Sequence, residues 1–125
     1  MSTTTANVTR RPYRKDYTGD NAPYRGDTFT DGFSITTGGI AEDLSGDTFR
    51  MQIRDAATDE EVHDLEIGTG ITVSGNTVTF TLTAAQMRAL PLKLYVYDIE
   101  WTRSTGVVKT LQVGTMQPWK DTTRP

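Results

Sequence analysis

The residue types able to do chemistry are sparse in this 125-residue chain and badly placed for it. There is no cysteine, which removes disulfides, thiolate metal sites and cysteine nucleophiles, and there is a single histidine, His63, between Val62 and Asp64. Activating a nucleophile takes a positioned base and a third group to orient it. A lone histidine inside a strand-like run reads instead as solvated or locally hydrogen-bonded. The acidic run Asp55, Asp59, Glu60, Glu61, Asp64 and Glu66 offers hard oxygens. It lacks the alternating ligand spacing and central glycine of a calcium loop, so it reads as an acidic solvated loop. Asp98 and Glu100 share a strand face about 7 Å apart, a separation that paired catalytic carboxylates also show. With no cleft implied around them, cross-strand pairing with Arg or Lys is the better reading.

Other short patterns weigh the same way. Arg25-Gly26-Asp27 matches an adhesion tripeptide, but reads as the turn before a strand. Gly38-Gly39, Gly68-Thr69-Gly70 and Gly75 precede no helix carrying a Lys-Ser/Thr pair, so they are turns and not phosphate cradles. No catalytic, metal or cofactor-binding residue is assigned, and no cofactor is expected.

Charge is distributed unevenly. Residues 1–25 carry Arg10, Arg11, Arg14, Lys15 and Arg25 against Asp16 and Asp20, or +3, so the remainder carries −6 of the net −3. Tyr13, Tyr17 and Tyr24 are interleaved with these charges. Stacking and phosphate contacts to a nucleic acid would use such residues. An excess of +3 on an acidic body favours docking on protein, and neither a nucleic-acid nor a membrane partner is expected. No apolar run reaches the roughly 20 residues of a membrane span, and the N-terminus lacks a signal-peptide core. A soluble product made in the cytoplasm is expected.

Residues 1–25 hold almost no aliphatic side chains, so they cannot bury enough surface to offset chain entropy. They are expected to form an extended basic N-terminal arm, with residues 26–125 as one β-sandwich domain. From Asp27 onward, short strands alternate with turn residues. A first strand over Thr28–Thr36 is expected to break near Gly32. In Thr48–Arg54, Phe49, Met51 and Ile53 face one way and Arg50, Gln52 and Arg54 the other. Val62–Ile67 is a weaker strand. Ile71–Ser74 and Thr77–Leu82 flank Gly75-Asn76, a two-residue hairpin connection that sets Val78, Phe80 and Leu82 on one face. Thr83 and Gln86 have capping-box spacing for a short helix that Pro91 stops. Leu92–Gly114 reads as two long strands, with Tyr95, Tyr97, Ile99 and Trp101 on one face and Leu92, Leu94 and Val96 on the other. About seven strands and one short helix predict an all-β fold, a two-sheet antiparallel immunoglobulin-like sandwich, with a small barrel as the alternative.

The order of these elements carries a resemblance. Tyr24-Arg-Gly-Asp-Thr-Phe29, Asp43-Leu-Ser-Gly-Asp-Thr-Phe-Arg-Met-Gln-Ile-Arg54, Thr81-Leu-Thr-Ala-Ala-Gln-Met87, Tyr95-Val-Tyr-Asp-Ile-Glu-Trp101, Thr110-Leu-Gln-Val-Gly114 and Asp121-Thr-Thr-Arg124 follow one another. Together they resemble small structural proteins of tailed bacteriophages, with a sandwich similar to the N-terminal module of baseplate upper proteins. The resemblance implies a virion structural role at the tail, baseplate or head surface, without enzymatic activity. On that reading the protein is a multi-copy or homo-oligomeric part whose arm docks on other virion proteins. Arg10, Arg11, Tyr13, Arg14 and Tyr17 are the expected docking residues, and Trp101 and Trp119 the aromatic anchors, because arginine and aromatics dominate interface hot spots. Ordinary core packing is the competing reading for both tryptophans. The alternative function is a carbohydrate-binding or host-adhesion module, with Tyr95, Tyr97 and Trp101 as a stacking platform.

Overall fold

The structure, a computed structural model, describes residues 3–7 and 12–120, with side chains from residue 12 onward. In chain order its elements are β1 (Thr3–Asn7), β2 (Tyr13–Arg14), a 3-10 turn (Gly19–Asn21), β3 (Phe29–Thr37), β4 (Ile40–Ala41), β5 (Thr48–Asp55), β6 (Glu61–Ile67), β7 (Gly70–Ser74), β8 (Thr77–Leu82), α1 (Ala84–Arg88), β9 (Tyr95–Thr102) and β10 (Val108–Met116). The all-β expectation holds.

Period-two alternation makes these strands. In β8, Val78, Phe80 and Leu82 are buried while the intervening threonines are half-buried, and in β9, Tyr95, Tyr97, Ile99 and Trp101 are buried. The β7–β8 hairpin turns on Gly75-Asn76, with Ser74 opposite Thr77 and Gly75 at a φ of 60°. Thr83 caps α1: its hydroxyl accepts from the Gln86 N–H, and the Gln86 side chain accepts from the Thr83 N–H.

Two local expectations change. Strand β3 runs through Gly32 without a break, because a Cβ there would lie 2.5 Å from the Val78 carbonyl oxygen and its absence lets β8 approach. The strand expected from Leu92 begins only at Tyr95, leaving Leu92 and Leu94 exposed in the preceding loop.

The strands follow one hydrogen-bonded path, β1-β3-β8-β7-β6-β5-β9-β10-β2, with β4 beside β3. A short parallel contact, Glu66 opposite Gly70 and Ile67 opposite Ile71, joins what would otherwise be two sheets. The sheet therefore curls, so that the limb β3-β8-β7 faces the limb β6-β5-β9-β10 across a shared core. Phe33, Ile35, Ile71, Val78, Phe80 and Leu82 meet Phe49, Met51, Ile53, Leu65, Ile99 and Leu111 there. Two further parallel pairings, β1 with β3 and β2 with β10, place the N-terminal residues on both ends of the path.

Candidate interface at the terminal edge

Strand β10 is paired along its length with β9, and its other edge is taken by the chain's own N-terminal segment. Gln112 stands opposite Tyr13 and Val113 opposite Arg14. The ladder then continues: Lys15 N–H donates to the Val113 carbonyl at 3.0 Å, Tyr17 N–H to Thr115 at 2.8 Å, and Gln117 N–H to Tyr17 at 3.0 Å. Beyond the strand, Trp119 N–H donates to the Pro23 carbonyl at 2.8 Å and Arg25 N–H to the Trp119 carbonyl at 2.9 Å. Asp16 adds two bonds, accepting from the Thr115 N–H at 3.0 Å and hydroxyl at 2.9 Å. The Thr115 hydroxyl, ahead of its N–H and Arg14, holds the Asp16 carboxyl below the usual carboxylate range. Gly114 is required at the crossing, since a Cβ there would lie 1.9 Å from the Lys15 carbonyl oxygen.

Beneath this ladder lies a buried polar cluster. Lys15 Nζ meets Asp31 Oδ2 at 2.6 Å, and the Tyr17 hydroxyl donates to the same oxygen at 2.8 Å. Asp31 Oδ1 accepts from the Gly32 N–H at 2.8 Å. Gln112 Nε2 donates to the Tyr97 hydroxyl at 2.9 Å and the Tyr17 hydroxyl at 3.2 Å, and the Tyr97 hydroxyl donates to the Lys15 carbonyl at 2.5 Å. Burial above all pushes both phenols well above the ordinary tyrosine range, so they stay neutral donors. The Tyr17 ring packs edge-on to Phe29 at 4.9 Å and tilted against Tyr97 at 5.5 Å. This arrangement, with Lys15 only partly buried, holds the segment in place.

The segment read as an arm is therefore part of the domain from Tyr13 to Arg25, and packing runs straight across residue 25. Low aliphatic content misled here: tyrosine supplied the buried apolar surface and the body supplied partners for the charges. Tyr17, expected at a docking surface, is 3 % exposed and belongs to the core. Trp101 is 1 % exposed, so it is no exposed anchor, and the stacking platform of Tyr95, Tyr97 and Trp101 lies wholly inside the molecule. Its position on the inward face of β9 is the reason. Arg10 and Arg11 lie outside the described residues. Tyr13 and Trp119 are open, 42 % and 53 % exposed, and exposed Arg14 pairs with Asp16 at 3.0 Å. Trp119 is oriented by its indole N–H, which donates to the Gly19 carbonyl at 2.7 Å, beside a hollow of about 320 Å³ lined by Gly19, Gln117, Pro118 and Trp119. Tyr24, 54 % exposed and bridged to Trp119, completes the edge. Its spacing with Tyr13 and Tyr17 was the available signal.

The remaining candidate groups have structural occupations. His63 Nε2 lies 3.1 Å from the Gln86 carbonyl. Arg25 of the adhesion-like tripeptide donates to the Leu90 and Arg88 carbonyls at 2.8 and 2.7 Å, tying off the end of α1. Asp55 pairs with Lys93 at 2.6 Å and Asp64 with Arg50 at 2.6 Å. Arg50 stands opposite Glu100 in register yet pairs with Asp64, so the cross-strand ion pair expected of Asp98 or Glu100 does not form. Among the described residues, no cluster of His, Asp or Glu could hold a metal ion, and no helix is long and apolar enough to cross a membrane.

No family model matches this chain, and no curated protein matches it. Solved structures similar to it include the "N-terminal domain of phage TP901-1 ORF48", at a TM-score of 0.43 and 7% identity over 97% of this chain and 99% of that one. Likeness at that level carries no argument about function.

Proposed function

We propose that this chain is a non-enzymatic structural protein of a tailed-phage virion, docked on neighbouring particle proteins at the tail or baseplate or as a decoration of the head. The terminal edge is its contact surface on this reading. The order of sequence elements from Tyr24 to Arg124 supports the class of protein. The observation that carries the contact surface is that Tyr13, Tyr24 and Trp119 stand open on an edge whose backbone is pinned by the ladder to β10. Rigid aromatics lose little entropy on being covered and are enriched in the buried centres of interfaces. The core, by contrast, takes up the residues a sugar platform would have needed.

Deleting the first 24 residues would not test this, since it removes Tyr17 and Lys15 from the interior. The test is the double variant Tyr24→Ala/Trp119→Ala, followed by thermal melting and by incorporation into particles. Incorporation is expected to fall by more than about tenfold, the loss of a single modest hot spot, with the fold retained. Full incorporation of a normally folded double variant would overturn the reading.

A further inference from the structure

The strands run lengthwise between two ends of the molecule. At one end Tyr95 stands between Asp55 and Met116, and Tyr24 and Trp119 lie just beyond. At the other, Thr102 stands between Thr48 and Val108, and the connection from β4 to β5 is tied to the β9–β10 turn by Glu42 and Asp47, which accept from Arg103 and the Ser104 N–H. Between that connection and the Gly75-Asn76 turn lies a hollow of about 570 Å³. Buried Leu44 and half-buried Val73 form its apolar base, and exposed Asp43 and Ser45 its polar rim. We propose that the chain associates head to tail with a second copy, the Trp119 end of one molecule seating in the Leu44–Val73 hollow of the next. The inference rests on reading the terminal edge as a contact surface, and it names the partner.

Three observations argue for it. First, the hollow suits the insert. Its volume falls within the range of about 300–1,000 Å³ at which pockets take ring-sized groups, and the indole is already oriented by its bond to the Gly19 carbonyl, so little freedom is lost on seating it. Second, the charges match. At the terminal edge Arg14, Lys15, Arg25 and Lys120 outnumber Asp16 and Asp20, while at the hollow Glu42, Asp43 and Asp47 outnumber Arg103. Lys120 follows Trp119 and is exposed, and neither it nor Asp43 forms an ion pair among the described residues. The Ser45 backbone N–H holds the Asp43 carboxyl below the usual carboxylate range, so the rim is charged at neutral pH. Seating Trp119 brings the Lys120 ammonium to that rim. Third, the two halves lie at opposite ends of one chain, so neither can satisfy the other within a molecule, and every further copy offers the complement of both. Such a contact repeats from copy to copy, closing into a ring or running on as a stack according to its angle.

The test uses the purified full chain and two variants, each disabling one end. Ala41→Trp places a ring in the hollow from an exposed position, and Trp119→Ala removes the insert. The unmutated chain is expected to at least double its mass in sedimentation as concentration rises, and each variant alone to stay monomeric with its melting transition intact. Mixed in equal amounts, the two variants are expected to form a one-to-one heterodimer and nothing larger, since each supplies the end the other lacks. Asp43→Lys is a second variant of the hollow, and the association it loses is expected to return when Lys120→Asp is added in the same chain. An unmutated chain that is monomeric up to about 1 mM, an assembly that survives Trp119→Ala, or mixed variants that remain monomers would each overturn the inference. If the chain is monomeric while Tyr24→Ala/Trp119→Ala still blocks incorporation into particles, the edge docks on a different protein: the head-to-tail contact then fails and the functional reading stands.

Discussion

The two tryptophans sit at opposite ends of the β9–β10 hairpin and have opposite fates. Trp101, at the turn end, donates its indole N–H to Asp47 Oδ2 at 2.9 Å, stacks on Phe49 with rings 4° from parallel, and is covered by the Arg103 guanidinium 4.5 Å from its ring. Arg103 Nε also meets Asp47 at 3.1 Å, and Asp47 accepts from the Ser104 N–H at 2.8 Å, so the turn is knotted over the indole. Trp119, past the other end, has an equally satisfied N–H but is 53 % exposed. A hydrogen bond orients a tryptophan in either setting. What separates a core residue from a contact residue is whether the same chain supplies the cover.

The largest expected effect comes at the covered end. Trp101→Ala should lower stability by about 3–5 kcal/mol, the usual loss for a buried aromatic, read by denaturant or thermal unfolding. A loss as small as that of Trp119→Ala would erase the distinction. Next is Tyr17→Phe, which keeps the ring and strips the donor from Asp31 and the acceptor from Gln112. It should cost about 1–3 kcal/mol, and a neutral result would mean that the polar cluster holds the segment less firmly than its ring does. Trp119→Ala should change stability by no more than about 1 kcal/mol, the net worth of one hydrogen bond, while reducing incorporation into particles.

The smallest effects lie on the outer face of the β6-β5-β9 limb and are read by pH. Asp98 lies on the exposed face of β9, where partial desolvation, opposed by Arg54, pushes its carboxyl above its ordinary value of 3.8, so its ionised form opposes folding at neutral pH and that opposition fades as pH falls through the raised value. Asp98→Asn should therefore raise the melting temperature at pH 7 and make no difference near pH 3. Asp64 has the opposite sign: the hydrogen-bonded Arg50 holds it below 3.8, so its contribution is present above that pH and is lost as pH falls through the lowered value. Asp64→Asn should lower the melting temperature at pH 7, by an amount that shrinks in acid. A shift of the same sign from both variants would contradict the arrangement.

Much of the body was legible because it is local. The alternation in Thr77–Leu82, the Gly75-Asn76 connection, the Thr83–Gln86 cap and the inward set Tyr95, Tyr97, Ile99 and Trp101 each depend on residues a few places apart. The terminal edge was not legible, because its partners are distant: Lys15 finds Asp31, Asp16 finds Thr115, and Tyr24 lies beside Trp119. The run Arg14-Lys15-Asp16-Tyr17 reads as solvated until something supplies acceptors. Gly32 and Gly114 carry the same lesson, since one read as a strand break and the other as an ordinary strand residue, and both are glycine because a carbonyl from a distant part of the chain, Val78 or Lys15, passes close by.

By itself, then, the amino-acid order determined that this is an all-β chain and where most strands and turns of its body fall, because period-two burial and turn chemistry act over a few residues. Only the tertiary structure decided which aromatics are core and which stand open, and that Tyr13–Tyr17 lies hydrogen-bonded along the edge of the sheet. Those outcomes depend on which distant backbone edge or carboxylate the folded chain brings within hydrogen-bond reach, and no local pattern encodes that.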